Sequence, residues 1–268
     1  MHKFFIVAAA CVAGSLTPVF GEVHPHGSPK QELKTFTDPT ILRSRVWLET
    51  EWNEFNHGES EGKFTFGGVY AWGVSPNQDW ALRLKVPIGW HEGGESFDSR
   101  DEQGLGDLEV TVGTAFRLNK SWRTGGGIEL RGDTASDETL GDGAWRLKPF
   151  WSVACDVTHW LTLTLTAEYR DSITMQNGHE REQSCELQAP VTVLLSERWA
   201  LHGQYKAECD FERDDRWTHA VEAGVSLHLI KVPMLLSASL EKPLDGGDKQ
   251  FQANLAVTYF FGGKHPQK

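Results

Sequence analysis

The amino-acid sequence predicts an all-β fold: a transmembrane up-and-down antiparallel barrel of about twelve strands with short turns at one end and long acidic loops at the other. Three observations carry this reading. Apolar and polar residues alternate with period two through most of the chain. The connections between the alternating runs are short and long in turn. Several tryptophans stand immediately after the short connections, where an interfacial aromatic girdle would need them.

The first 21 residues are set apart from this pattern. Met1-His2-Lys3 is a basic start, Phe4 to Leu16 is an apolar run, and Val19-Phe20-Gly21 precedes a cut before Glu22. This is the layout of a cleaved secretory signal peptide, too short and too early for a membrane-spanning helix. Cys11 follows Ala8-Ala9-Ala10, a poor lipobox. Residues 22–40 then read as a periplasmic N-terminal segment, 41–261 as the barrel and 262–268 as a C-terminal tail. Whether Glu22 to Thr40 enters the barrel mouth is left open by the sequence.

Composition removes other classes. After residue 21 no stretch of 18 apolar residues exists, and the mean hydropathy is −0.41, which excludes a helical membrane protein. A barrel hides its lipid-facing half in alternation and scores as hydrophilic. The 11 Trp, 14 Phe and 27 Gly suit a barrel wall and its turns, and a net charge of −11 argues against a nucleic-acid partner.

The strands can be taken in order. Leu42, Ser44, Val46 and Leu48 share one face of the first, with Arg43, Arg45, Glu49 and Glu51 on the other. Phe64, Phe66, Tyr70 and Trp72 mark the second; Trp80, Leu82, Leu84, Val86 and Ile88 oppose Arg83, Lys85 and Pro87 in the third. The fourth sets Leu108, Val110, Val112 and Phe116 against Asp107, Glu109 and Arg117, and the fifth sets Trp122, Ile128 and Leu130 against Arg123, Glu129 and Arg131. The sixth carries Trp145, Leu147, Trp151 and Val153; in the seventh Leu161, Leu163, Leu165 and Tyr169 oppose three threonines, Glu168 and Arg170. The remaining five centre on Leu187, Leu201, Val225, Leu236 and Leu255. An even number of strands is the rule for single-chain outer-membrane barrels.

Short connections follow the even strands up to the tenth, at 75–79, 119–121, 158–159, 197–198 and 231–232. Longer ones follow the odd strands; Glu92 to Gly104 holds five acids and one Arg, and Gly132 to Gly143 four acids and no base. This alternation puts both termini on the periplasmic side. Trp80, Trp122 and Trp199 each follow a short turn; Trp160 occupies the equivalent place on the wrong parity, so a bulge or a slipped strand start is expected there.

Gly104-Leu105-Gly106-Asp107-Leu108, leading into Glu109-Val110-Thr111-Val112-Gly113, resembles a strand opening of the family described as "putative MetA-pathway of phenol degradation", outer-membrane transporter-like proteins of which some carry the mistaken name neuromedin U. The alternation of Leu255, Val257, Tyr259 and Phe261 is similar to the C-terminal strand read by the barrel-assembly machinery, although Gly262 to Lys268 follow it. The resemblance implies a barrel that passes small, hydrophobic or aromatic compounds, and no catalytic residues or cofactor.

The inward face is the candidate site. Strands one to six offer nine bases (Arg43, Arg45, Arg83, Lys85, Arg117, Arg123, Arg131, Arg146, Lys148) against Glu49, Glu51, Asp107, Glu109 and Glu129. Strands seven to twelve offer Arg170 and Lys206 against Glu168, Glu186, Glu208, Asp210, Glu222 and Glu241. A water-filled bore between a basic and an acidic wall would carry a transverse field that sets solute preference. If the side chains meet instead, paired networks close the lumen. Gly67, Gly73, Gly113, Gly125, Gly127 and Gly224 remove inward bulk and tip the reading toward a narrow channel.

Smaller constellations complete the reading. With the turn between the eighth and ninth strands centred on Glu197, Cys185 and Cys209 stand opposite one another at a separation a disulfide can span. A mature Glu22-Val23-His24 terminus, with His26 beyond, is a copper-type chelate pattern. Ser226 and His228 share the inward face but lack an evident third member, so no enzyme is expected. The expected partners are outer-membrane lipid and lipopolysaccharide, the barrel-assembly machinery during insertion, and a small-molecule solute. The competing reading is a closed structural or adhesive barrel whose acidic loops bind partners.

Overall fold

A computed structural model describes residues 28–56, 60–92, 102–137, 140–175, 181–213, 215–245 and 249–262. The expected signal peptide, His24, His26, most of the loop 92–104 and the tail beyond Gly262 lie outside the described residues. The strands are β1 (Arg45–Phe55), β2 (Ser60–Ser75), β3 (Gln78–Glu92), β4 (Glu102–Leu105), β5 (Glu109–Arg117), β6 (Trp122–Arg131) and β7 (Ala144–Asp156), then β8 (Leu161–Met175), β9 (Gln183–Leu194), β10 (Trp199–Asp210), β11 (Arg216–Leu229), β12 (Met234–Pro243) and β13 (Lys249–Phe260). One helix, α1 (Pro29–Lys34), precedes them.

All strands belong to one antiparallel sheet. β1 pairs with both β2 and β13, and the ladder runs on through neighbours until β3 meets β2, so the sheet closes. It is a twelve-stave barrel with one extra strand. The extra strand comes from the Gly-Leu-Gly-Asp segment: β4 and β5 form one stave against β3, interrupted at Gly106–Leu108, where Gly106 N–H donates to Pro87 C=O.

The alternation places each face as expected. Leu48, Phe66, Leu82, Val112, Leu163, Leu201 and Leu255 are exposed on the outer surface, while Thr65, Thr111, Glu129, Thr166, Glu186 and Ser226 are buried on the inner one. Closure has a simple reason: an open edge would leave a row of unpaired amides, and joining β1 to β13 removes both edges.

Three of the short turns share one device. The side-chain oxygen of Asn119, Thr158 or Ser196 accepts the backbone N–H three residues on, from Trp122, Leu161 and Trp199 respectively. The next strand therefore starts at that residue. In two turns it is a Trp; in the third it is Leu161, which leaves Trp160 in the turn. The parity slip at Trp160 is thus a slipped start.

Four of the six inward glycines are covered by rings. A Cβ on Gly67 would meet the Trp47 ring at 2.1 Å, and one on Gly224 would meet His202 Nε2 at 2.0 Å. Gly113 and Gly127 are direct partners, and Phe150 lies over both. These glycines give room to inward rings on neighbouring strands, which corrects the expectation drawn from them. Gly127→Val would drive a Cβ against Val112 C=O at 2.4 Å and Phe150 at 3.0 Å. We expect it to lower unfolding stability by roughly 1–3 kcal/mol, as overpacking does, read from the urea midpoint of heat-modifiable migration.

Candidate functional site

The barrel bore contains three built features: a segment docked in its short-turn end, a belt of charge along its wall, and a loop folded in at its long-loop end.

Residues 28–41 occupy the short-turn end. Ser28 caps α1 and Pro29 starts it, so a single helical turn forms locally. Thr35 Oγ1 donates to Glu32 C=O, and Asp38 Oδ1 accepts from Thr40 N–H at 2.9 Å, which folds the chain back toward β1. Leu33, 1% exposed, enters an apolar socket of Leu194, Ala200, Leu235 and Phe260. These four come from β9, β10, β12 and β13 and point into the bore, where the pattern elsewhere demands polar residues. Burying one such leucine contributes roughly 1.5–3 kcal/mol.

Polar contacts surround the socket. Glu32 Oε2 lies 2.6 Å from His228 Nε2 and its Oε1 3.8 Å from Arg43. Arg123 donates to Asp38 Oδ2 at 2.8 Å and to Asp156 Oδ2 at 2.5 Å, and Lys34 reaches Asp156 Oδ1 at 2.7 Å. Thr37 bonds Thr192, and the Phe36 ring packs on His202 at 4.4 Å between centroids. Arg43 and Arg123, expected to line an open bore, are engaged by this segment. His228 turns its Nε2 to Glu32, and neither Ser226 Oγ nor His228 Nδ1 has a partner among the described residues. Ser226 and His228 therefore form no nucleophile–base pair.

Above this docked segment, the plug, the charges pair along the wall. Arg83 meets Glu129 at 2.5 Å, Lys148 meets the same carboxylate at 2.9 Å and Glu168 at 3.3 Å, and Lys85 meets Glu109 at 2.6 Å. In the acidic half Glu168, Glu186 and Glu208 are successive direct partners on β8, β9 and β10. Like charges so opposed destabilise a sheet. Arg170 offsets this by bonding Glu186 and, at 2.8 Å, Glu208. Glu222 and Glu241 are likewise opposed, and Lys206 bonds both. Among the described residues the charge pairs of the belt join neighbouring or next-but-one staves, so the field between walls expected from the sequence is largely neutralised locally. Arg117 is exposed at the short-turn end.

Residues 132–137 and 140–143 of the long loop fold onto the inner wall. Asp107, fully buried, accepts N–H bonds from Thr134 and Ala135 at 3.0 Å and Asp142 at 2.8 Å. Leu140 packs where Gly89 and Gly104, direct partners on the inward face, lack side chains. Asp142 bridges Arg131 and Arg146 at 2.6 Å each, and Arg146 also meets Glu182. The Gly-Leu-Gly-Asp segment thus has a physical role: its glycines make a flat seat and its aspartate ties the loop down.

Cys185 and Cys209 are direct partners in the register expected, and both are free thiols in the structure; the expected bond is not formed here. The outward rings form two belts, Trp72, Trp80, Trp122, Trp160 and Trp199 near the short turns and Trp52, Trp90, Trp145 and Trp217 near the long loops. The sequence left open whether residues 22–40 enter the mouth, and it offered no expectation of the socket or of the inward rings Trp47 and Phe150. The available signal was the inward parity of Leu194, Leu235 and Phe260 at one end of their strands.

No family model matches the chain, and no curated protein sequence matches it. Solved structures do. The chain is similar to the COG4313 outer membrane channel from Pseudomonas putida F1, with a TM-score of 0.69 at 14% identity over 82% of this chain and 96% of that one. The fold is that of an outer-membrane β-barrel. The NanC porin follows with a TM-score of 0.56 at 12% identity, over 81% and 100% of the two chains. The CymD monoaromatic hydrocarbon channel gives 0.53 at 8% identity, over 92% and 96%. Translocator domains of autotransporters share the architecture as well.

Two outcomes are expected from this geometry. Arg170→Met leaves Glu186 and Glu208 opposed without their cation and lowers stability by about 2–4 kcal/mol, measured by urea unfolding; Glu208→Gln in the same chain restores part of it. Asp107→Ala frees the loop 132–143, so limited proteolysis cuts there at least about tenfold faster while the barrel stays folded.

Proposed function

We propose that the chain is a bacterial outer-membrane channel for passive passage of small solutes, closed at its periplasmic end by residues 28–41. In this reading residues 1–21 are the cleaved signal, the short turns face the periplasm, and the two aromatic belts sit at the membrane interfaces. Outer-membrane lipid and lipopolysaccharide surround the wall, and the barrel-assembly machinery inserts it. The resemblance of the 104–108 segment to the phenol-degradation family and the channel neighbours support a small-molecule solute. The inner-wall charges from Arg83 to Glu241 would set its selectivity.

The observation that carries the proposal is how residues 28–41 dock in the short-turn end of the bore. A barrel meant only to be structural could fill its mouth with side chains from its own wall. Here the closure is a separate terminal segment in a matching socket, held by one buried leucine and a few ion pairs. Such a segment can leave without unfolding any strand. The wall-bound charge pairs, in turn, bridge no opposite staves among the described residues.

Leu33→Asp removes the apolar anchor at a cost of roughly 2–3 kcal/mol to the docked state. In planar bilayers it should raise open probability by about tenfold or more over the unaltered chain. Folded preparations of both that give no conductance step would contradict the channel and favour the closed structural barrel.

A further inference from the structure

We propose that the bore holds a binding site for a small organic carboxylate, built from Arg45 and Trp47 beside the plug; it rests on the channel reading and names its solute class. A circumferential row of direct partners on the inner wall runs Arg45, Val69, Arg83, Thr111, Glu129, Lys148 from β1 to β7. It contains three bases and one acid. Glu129 serves Arg83 at 2.5 Å and Lys148 at 2.9 Å. Nothing in the row is left for Arg45.

Of the nine inward bases of the first half, Arg45 and Arg117 lack a carboxylate partner among the described residues; Arg117 is exposed at the short-turn end, whereas Arg45 lies within the bore. Arg43, Arg83, Lys85, Arg123, Arg131, Arg146, Lys148, Arg170 and Lys206 each have a carboxylate within 4.0 Å; Arg45 has none among the described residues. Its guanidinium instead lies over the Trp47 ring, with Cζ 5.8 Å from the centroid. That contact spends none of its N–H donors on a carboxylate. Arg45 is half-buried on the inner wall, and none of its nitrogens is both sealed from the bore and without a partner.

The surroundings define the ligand. The planar fork of a guanidinium matches a carboxylate with two parallel hydrogen bonds. Trp47 is held by the missing side chain of Gly67, its direct partner, and with buried Val69 it offers an apolar wall for the body of the anion. Unneutralised positive charge in a confined, partly desolvated bore attracts anions and repels cations. Arg45 is also the direct partner of Phe260, one wall of the Leu33 socket, so the anion would rest at the edge of the plug.

The test is equilibrium binding of benzoate to the folded protein in detergent, followed by ligand-observed NMR, with benzyl alcohol as the neutral comparison. Bilayer conductance is recorded on the same preparations. Benzoate should bind the unaltered chain, benzyl alcohol at least about tenfold more weakly, and R45Q should weaken benzoate by about tenfold or more. R45K, which keeps the charge and loses the fork, should fall between. Trp47→Leu should weaken benzoate more than acetate. Benzoate binding that R45Q leaves unchanged, or equal binding of benzoate and benzyl alcohol, overturns the site even where conductance is normal. Arg45-dependent binding in a preparation that never conducts sustains the site and contradicts the channel instead.

Discussion

Charge held off bulk water is costly unless neutralised close by, and the inner wall, Arg45 apart, is organised around that requirement. Carboxylates stand directly opposite carboxylates on β8, β9 and β10 and again on β11 and β12. Such rows can form only if a cation sits between them, and Arg170 and Lys206 are those cations. The basic half solves the same problem in reverse, with Glu129 shared between Arg83 and Lys148. Because each network is met along the wall, the staves can close with the charges laid flat against them.

The same requirement shapes both ends. The plug brings Glu32, Lys34 and Asp38 into the bore and finds His228, Asp156 and Arg123 there. Without the plug, Arg123 and Asp156 still have one another. The loop 132–143 brings Asp142 to Arg131 and Arg146, while Asp107 spends its charge on three backbone amides. Two segments that could leave are thus docked by local neutralisation, with apolar contacts from Leu33 and Leu140 setting their depth.

Much of this was legible in the sequence, and the rest was hidden for definable reasons. Strand faces follow from period two, which is local, and the register that opposes Cys185 to Cys209 follows from a turn of known length. Trp160 read as a parity conflict because the turn cap at Thr158, not the tryptophan, decides where β8 begins. The glycines misled because a missing side chain signals room without saying what fills it; Trp47, Phe150 and His202 do. Whether the plug docks was out of reach because its contacts span the chain: Leu33 meets residues of β9, β10, β12 and β13, and no short-range pattern links them.

A gated channel requires that residues 28–41 close the bore and can leave it. Leu33→Cys paired with Leu235→Cys, in a chain whose other cysteines are serine, tests this directly in planar bilayers. The oxidised pair is expected to cross-link and hold the channel shut, and reduction to restore opening. A cross-linked protein that conducts as freely as the reduced one, or a pair that never forms, would contradict the gated channel.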